Sequence, residues 1–266
     1  MGNSKREFRD IRRDDGGEVA KPVDEFMNEL WTVETEIATA KNMVWEAVSD
    51  GSLSEEYLKR LAKEYYFMGR YLTTELGSLV SNAPDADALS LSGSEHFSHW
   101  LQNLADETGY TGDANHVDMV IDWAHQLGIS DEELVGYVAQ PETIGMVFTT
   151  LYYMRRSYEE GLASFGWAGE PGVGERRAAS TGYAVKMYEG MRDHYDMKVE
   201  NFRVHAHAGE DHGAEADHLL RQVAVSVDQQ RRIRRAVTHT FSVRNLRTVA
   251  LNGWLDEPGA IRRNRG

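Results

Sequence analysis

Apolar residues recur at intervals of three and four along almost the whole of this sequence, and no segment alternates apolar with polar residues as a half-buried strand would. That regularity restricts the chain to an all-α fold, expected as a single-domain bundle of about seven to eight helices spanning 22–252. The first pattern starts at Pro22, passes through Phe26, Leu30, Val33, Ile37, Ala40 and Val44, and stops near Asp50-Gly51. A second, capped by Ser54, runs through Tyr65, Phe67, Met68 and Tyr71 towards Val80. Further helices are predicted over 94–107, 117–127, 141–165, through Ala184 to Tyr195, and over 199–223 and 227–251, with a Gly-rich interruption from Gly166 to Gly174. Residues 1–21 mix charges and glycines without period and read as a disordered or loosely docked arm; 253–266 read as a flexible tail.

Composition narrows the chemistry. No apolar run reaches 18 residues and the first 21 are charged, so neither a membrane span nor a signal peptide is expected, and the protein reads as soluble and cytoplasmic. With 43 acidic against 29 basic residues the net charge is −14, which argues against a nucleic-acid partner. The absence of cysteine excludes disulfides, thiolate metal sites and cysteine nucleophiles, so any metal must be held by His, Asp or Glu.

Four of the ten histidines, His205, His207, His212 and His218, crowd the segment NFRVHAHAGEDHGAEADHLL. On a helix, His205 and His212 share a face two turns apart, whereas His207 and His218 point elsewhere. Solvated histidines on a polar helix explain that pair equally well. What raises it above the ordinary is the company. Glu107 ends the third predicted helix, His116 opens the fourth, and Glu170 lies among small residues in GWAGEPGVGER. Each alone reads as a surface carboxylate or a cap; converging from separate helices they form the donor set with which bundles hold iron or manganese. For a carboxylate substrate the candidates are Arg155, Tyr152 and Trp167, with Met154 and Tyr153 nearby, while Arg156 is expected to pair with Glu159 or Glu160 instead.

From about residue 25 to 225 these positions resemble the haem-oxygenase-like dimetal oxidases, the superfamily that also holds thiaminase-type and PQQ-synthesis enzymes. Its iron-dependent members place a Glu at a helix end, a His opening the next helix, a later Glu, and a final His-x3-Asp-x2-His. Glu107, His116, Glu170, His205 and His212 match in that order. The stretches GEPGVGERRAA and DANHVDMVIDWAHQLGI are similar to those of the member that converts fatty acids to terminal alkenes. The resemblance implies two Fe(II) ions, dioxygen as co-substrate, an external electron donor, a homodimer, and oxidation of a small amino-acid-like or fatty-acid-like carboxylate.

The motif's Asp position is occupied here by Gly209. Three consequences are open: Glu210 or Asp211 swings in after local unwinding, the second ion is weakly held or missing, or the vacancy admits an exogenous anion such as a substrate carboxylate or halide. The competing readings are a metal-independent hydrolase or cofactor-free oxidase of the same fold, with Glu and His as acid and base, and a non-enzymatic helical interaction module.

Overall fold

The computed structural model describes residues 18–84, 93–111, 115–169 and 175–262; within these, for 93–94, 175–183 and 206–213, it describes the backbone alone. The elements are α1 (Val23–Ile37), α2 (Met43–Ser49), α3 (Glu55–Asn82), α4 (Gly93–Glu107), α5 (His116–Gln126), α6 (Asp131–Gly136), α7 (Pro141–Arg156), α8 (Tyr158–Gly161), a π-helical segment (Leu162–Trp167), α9 (Glu175–Tyr195), α10 (Glu200–Val223), α11 (Val227–Gly253) and a closing 3-10 turn (Trp254–Asp256). Among the described residues there is no strand, only an isolated bridge between Leu53 and Ile261. None of their helices is long and apolar enough to cross a membrane.

The fold class is the expected one, while the number of helical segments is larger because two predicted spans are divided and one short helix, α6, has no predicted counterpart. The first pattern splits into α1 and α2. The apolar period continues across the gap, so the break is invisible in it; what sustains the break comes from α11. The Asn245 amide oxygen accepts from the Ala40 N–H at 2.8 Å, the Asn252 oxygen accepts from the Met43 N–H at 3.0 Å, and the Asn252 amide donates to the Lys41 carbonyl at 2.6 Å. Backbone groups that a continuous helix would satisfy internally are thus satisfied by two side chains one heptad apart. The predicted helix over 141–165 becomes α7, α8 and the π segment, with extended backbone at Ser157 whose hydroxyl caps α8. Helix α6, absent from the sequence reading, carries a full capping box between Ser130 and Glu133. Ser54 does precede α3, but its hydroxyl makes no capping bond.

Two large apolar cores organise the bundle, with a smaller cluster of Phe67, Ala139 and Val147 beside the middle of α3. One gathers Met27, Leu30, Leu79, Met154, Leu220 and Val237; the other gathers Val48, Leu58, Leu61, Trp123, Met191 and Trp254. Helix α3, 28 residues or about 42 Å long, supplies Leu58 and Leu61 to one core and Leu76 and Leu79 to the other. The middle of α3 lies between them, and there the packing leaves a space.

Residues 254–262, expected as part of a flexible tail, pack against the bundle. Trp254 is 2% exposed and Ala260 is buried. The Glu257 carboxylate accepts from the Tyr57 hydroxyl at 2.7 Å and from Arg60, and the Ser54 N–H donates to the Ala260 carbonyl at 2.7 Å. Charge and glycine content made the segment look loose; one tryptophan and one alanine in core positions dock it. Of the predicted arm, 18–21 lie along α11, where Gln230 bonds both ways with the Lys21 backbone and Arg231 pairs with Glu18; 1–17 fall outside the described residues.

Candidate functional site

Helix α4 stops where Gly109 takes the left-handed conformation, φ 73°, and the Tyr110 N–H closes back onto the Ala105 carbonyl. Helix α5 restarts at once, with the Asn115 side chain accepting from the Val117 N–H at 2.9 Å. This stop and start bring Glu107, the last residue of α4, against His116, the first of α5: the Glu107 carboxylate contacts His116 Nδ1. From α10, the His205 ring lies with its centroid 5.1 Å from that of His116. His205 Nδ1 donates to the Asn201 carbonyl at 2.6 Å. A carbonyl only accepts, so the proton resides on Nδ1 and the lone pair on Nε2, as in metal-binding histidines whose other ring nitrogen is held by a carbonyl.

One donor atom each from Glu107, His116 and His205 lies within 4.8 Å of the other two. Carboxylate and imidazole together suit iron, manganese or zinc. Glu107 and His116 are half-buried and His205 is exposed, so the group faces outward on one side. The other two proposed donors cannot be placed. Glu170 lies outside the described residues; His212 and Gly209 belong to α10, whose backbone is described without their side chains. The α10 backbone is helical without a break from Glu200 to Val223. His218 points away, its Nε2 bonded to Gln222 at 2.9 Å.

Beside His116 and His205 opens a cavity of about 240 Å³. Helix α3 gives it one face, Tyr65, Met68, Gly69, Leu72 and Glu75; α7 contributes Met146, Val147 and Thr150, the π segment Ser164 and Phe165, and α11 Arg244. Drug-sized ligands occupy pockets of about 300–1,000 Å³, so this one is scaled to a small metabolite. Burial raises the Tyr65 hydroxyl to about 12, against the opposing charges of Arg247 and Arg244.

The three substrate candidates do not belong to this cavity. Trp167 is packed in the apolar core, edge-on to Trp31 and Phe241, and donates to Asp217 at 3.1 Å. Arg155 is exposed, and Tyr152, 52% exposed, lines a shallow depression with Arg156, Arg235 and His239. Their placement follows from helix rotation: α7 turns Met146, Val147 and Thr150 to the cavity, and Tyr152 and Arg155 fall on the other face. Arg156 pairs with Glu160 at 2.9 Å, as expected. Sequence reasoning missed Glu75 and Arg244. A signal for Glu75 existed: it lies three, seven and ten residues after Leu72, Met68 and Tyr65, on the same helical stripe, an acid on an otherwise uncharged face.

Solved structures share this architecture. A TenA homologue from Pseudomonas syringae superposes with a TM-score of 0.67 at 12% identity, covering 89% of this chain and 98% of that one. A domain with a heme oxygenase-like fold from Shewanella denitrificans gives 0.62 at 15% identity over 90% of this chain and 97% of that one. A CadD-like protein from Nostoc punctiforme gives 0.61 at 14% over 87% and 97%. The fold is therefore haem-oxygenase-like. Over residues 59–245 the chain matches the family of iron-containing redox enzymes, and it belongs to that family. Among curated proteins, 109 residues are 28% identical to a 4-aminobenzoate synthase from Chlamydia pneumoniae; the match takes in 41% of this chain and 44% of that protein.

Proposed function

We propose that this chain is an iron-dependent oxidoreductase that uses dioxygen to oxidise a small organic carboxylate held in the cavity of α3, α5, α7 and α10. The observation that carries this reading is the convergence of Glu107, His116 and His205 from three helices, with the two histidines lining that cavity. The donor set fits iron: one carboxylate, two imidazoles, and a His205 Nε2 lone pair oriented by Asn201. Glu170 and His212 complete the proposed set. Bound iron would supply the redox chemistry that no side chain here can. The protein's own contribution is positional. Glu107 sets carboxylate charge against His116; Met68, Leu72, Val117, Val120 and Phe165 exclude water from the bound molecule; and the cavity's small volume holds it close to His116 and His205.

Anaerobic addition of Fe(II) tests the reading. A ferrous-dependent rise in melting temperature is expected in the wild type and lost in His205→Ala and His116→Ala. No ferrous response, together with no oxygen consumption on adding small carboxylates, would leave acid–base chemistry by Glu107 and His116 as the better account.

A further inference from the structure

The fold has already used several of the polar groups in the cavity wall. The Thr150 hydroxyl donates to the Met146 carbonyl at 3.2 Å, the Ser164 and Thr240 hydroxyls share a hydrogen bond of 2.7 Å, and His205 Nδ1 is taken by the Asn201 carbonyl. The Tyr65 hydroxyl and the Asn201 carboxamide line the same cavity and have no hydrogen-bond partner among the described residues. The Glu75 carboxyl is also unpartnered, but it stands ten residues beyond Tyr65 on α3, about 15 Å along the helix axis. Three rings fix Tyr65: Trp45 at 5.2 Å, and Trp123 and Phe202 at 5.8 Å each, centroid to centroid. Phe202 is the residue that follows Asn201, so one contact ties the two unspent groups together. Burial raises the Tyr65 hydroxyl to about 12, which keeps it protonated and able to donate. Beside the ring, outside the cavity lining, lies a buried guanidinium: Arg247 is 8% exposed, with Cζ 5.8 Å from the Tyr65 centroid. Its Nε donates to the Thr143 hydroxyl at 3.1 Å, and its Nη2 is buried without a hydrogen bond. Among the described residues no carboxylate contacts it as an ion pair; Glu64, which accepts from the Tyr137 hydroxyl at 2.6 Å and the Gln140 N–H at 2.9 Å, offsets its charge from further away. Two uncharged donors facing one small space, with a buried cation next to them, favour an anionic acceptor.

We propose that the Tyr65 hydroxyl and the Asn201 carboxamide N–H form the carboxylate subsite of this cavity, with Arg247 as the buried charge beside it. The inference deepens the proposed function and rests on reading the cavity as the site of a carboxylate substrate. Asn201 then serves twice: its main-chain carbonyl orients His205, and its side chain holds the ligand. Selectivity follows from the donors, because a hydrogen bond to a charged acceptor contributes more than one to a neutral acceptor, so a ligand ending in a hydroxyl gains less here than one ending in a carboxylate.

Calorimetric titration of the full chain with hexanoate and 1-hexanol, first iron-free and then after anaerobic Fe(II) loading, tests this. The iron-free wild type is expected to bind hexanoate about tenfold or more tightly than 1-hexanol. Tyr65→Phe and Asn201→Ala should each weaken hexanoate about tenfold and change 1-hexanol by no more than about threefold. Both variants should keep the ferrous rise in melting temperature, since Asn201→Ala retains the main-chain carbonyl that holds His205. Asn201→Asp, nearly the same in shape, sets a carboxylate against that of the ligand; it should abolish hexanoate binding at millimolar concentration and decides the matter if the Ala variant does not fold. Equal affinity for the two probes in the iron-free wild type, no hexanoate binding at millimolar concentration, or unchanged hexanoate affinity in Tyr65→Phe and Asn201→Asp overturns the proposal. So does a preference that arises only after Fe(II) loading and survives both substitutions, which assigns the carboxylate to the metal, or loss of the ferrous response in Tyr65→Phe, which places that residue in the metal group. Failure of the iron reading shows separately, as a missing ferrous response in a wild type whose iron-free form still prefers hexanoate.

Discussion

A carboxyl group that folding strips of water without giving it a counter-charge is a liability whose size depends on pH. Burial raises Glu75 from 4.5 to about 7. The folded state therefore binds this proton more tightly than the unfolded chain, and stability from this group is fully present below pH 4.5 and is lost as pH rises through 7. The shift corresponds to at most about 3 kcal/mol. In the ligand-free protein Glu75→Gln should thus match the wild type at pH 5 and exceed its stability at pH 8; urea denaturation at both pH values measures the difference between the two proteins, which isolates this group. Gly209 offers a second test at this scale. If its place on unbroken α10 is a vacated ligand position, Gly209→Asp should raise iron occupancy after anaerobic loading, read by metal analysis of the desalted protein. An unchanged occupancy would mean that α10 does not aim this position at the metal. Glu107, His116 and His205 were legible in the sequence because helix ends and spacing have local signals, Gly109 and Asn115 among them. Glu75 and Arg244 were not singled out, since a charged residue inside a helix usually faces solvent; the packing of neighbouring helices buries Glu75, whereas Arg244 lines the cavity while remaining exposed.

At the level of elements, continuity of pattern and continuity of helix proved to be different things. Helices α4, α5, α10 and α11 lie close to where their caps and breakers place them. The α1–α2 gap is not written in its own residues; it depends on Asn245 and Asn252, some two hundred positions away. The π segment is likewise a product of close packing: a Cβ on Gly161, just before it, would lie 2.8 Å from Met154 Cα and 3.0 Å from a Leu79 methyl. Since backbone cannot yield as a flexible side chain can, Gly161→Ala should cost about 1–3 kcal/mol and shift the wall formed by Ser164 and Phe165. Gly145, inside α7, meets nothing within 4 Å, so Gly145→Ala should instead stabilise by about 0.5–1 kcal/mol through helix propensity. Guanidinium denaturation of the two variants separates the effects, and equal signs would refute the packing argument.

For the molecule as a whole, the cavity exists because α3 is longer than either apolar core it serves and crosses the interval between them. One of those cores is closed by residues that follow α11. Removing the chain from Trp254 onward takes away a buried indole, the Glu257 contacts to Tyr57 and Arg60, and the cover over Leu53. Losing a buried tryptophan alone costs about 3–5 kcal/mol; the truncated protein should melt well below the intact one and lose protection at the start of α3, which hydrogen exchange would localise. The all-α class was legible from periodicity because every helix has to bury a stripe, whereas the docking of 254–262 was not, because two core residues among charges leave no period to detect. That docking also bears on how the protein is made. Tyr57 and Glu257 are 200 residues apart, so the contacts at the start of α3 cannot form during synthesis until Ala260 has been made. Helical bundles with mainly local contacts fold fast; here closure at the start of α3 waits on residues 257–260, and until they are made the uncovered apolar surface around Leu53, Leu58 and Tyr57 is where a nascent chain would be open to a chaperone or to aggregation.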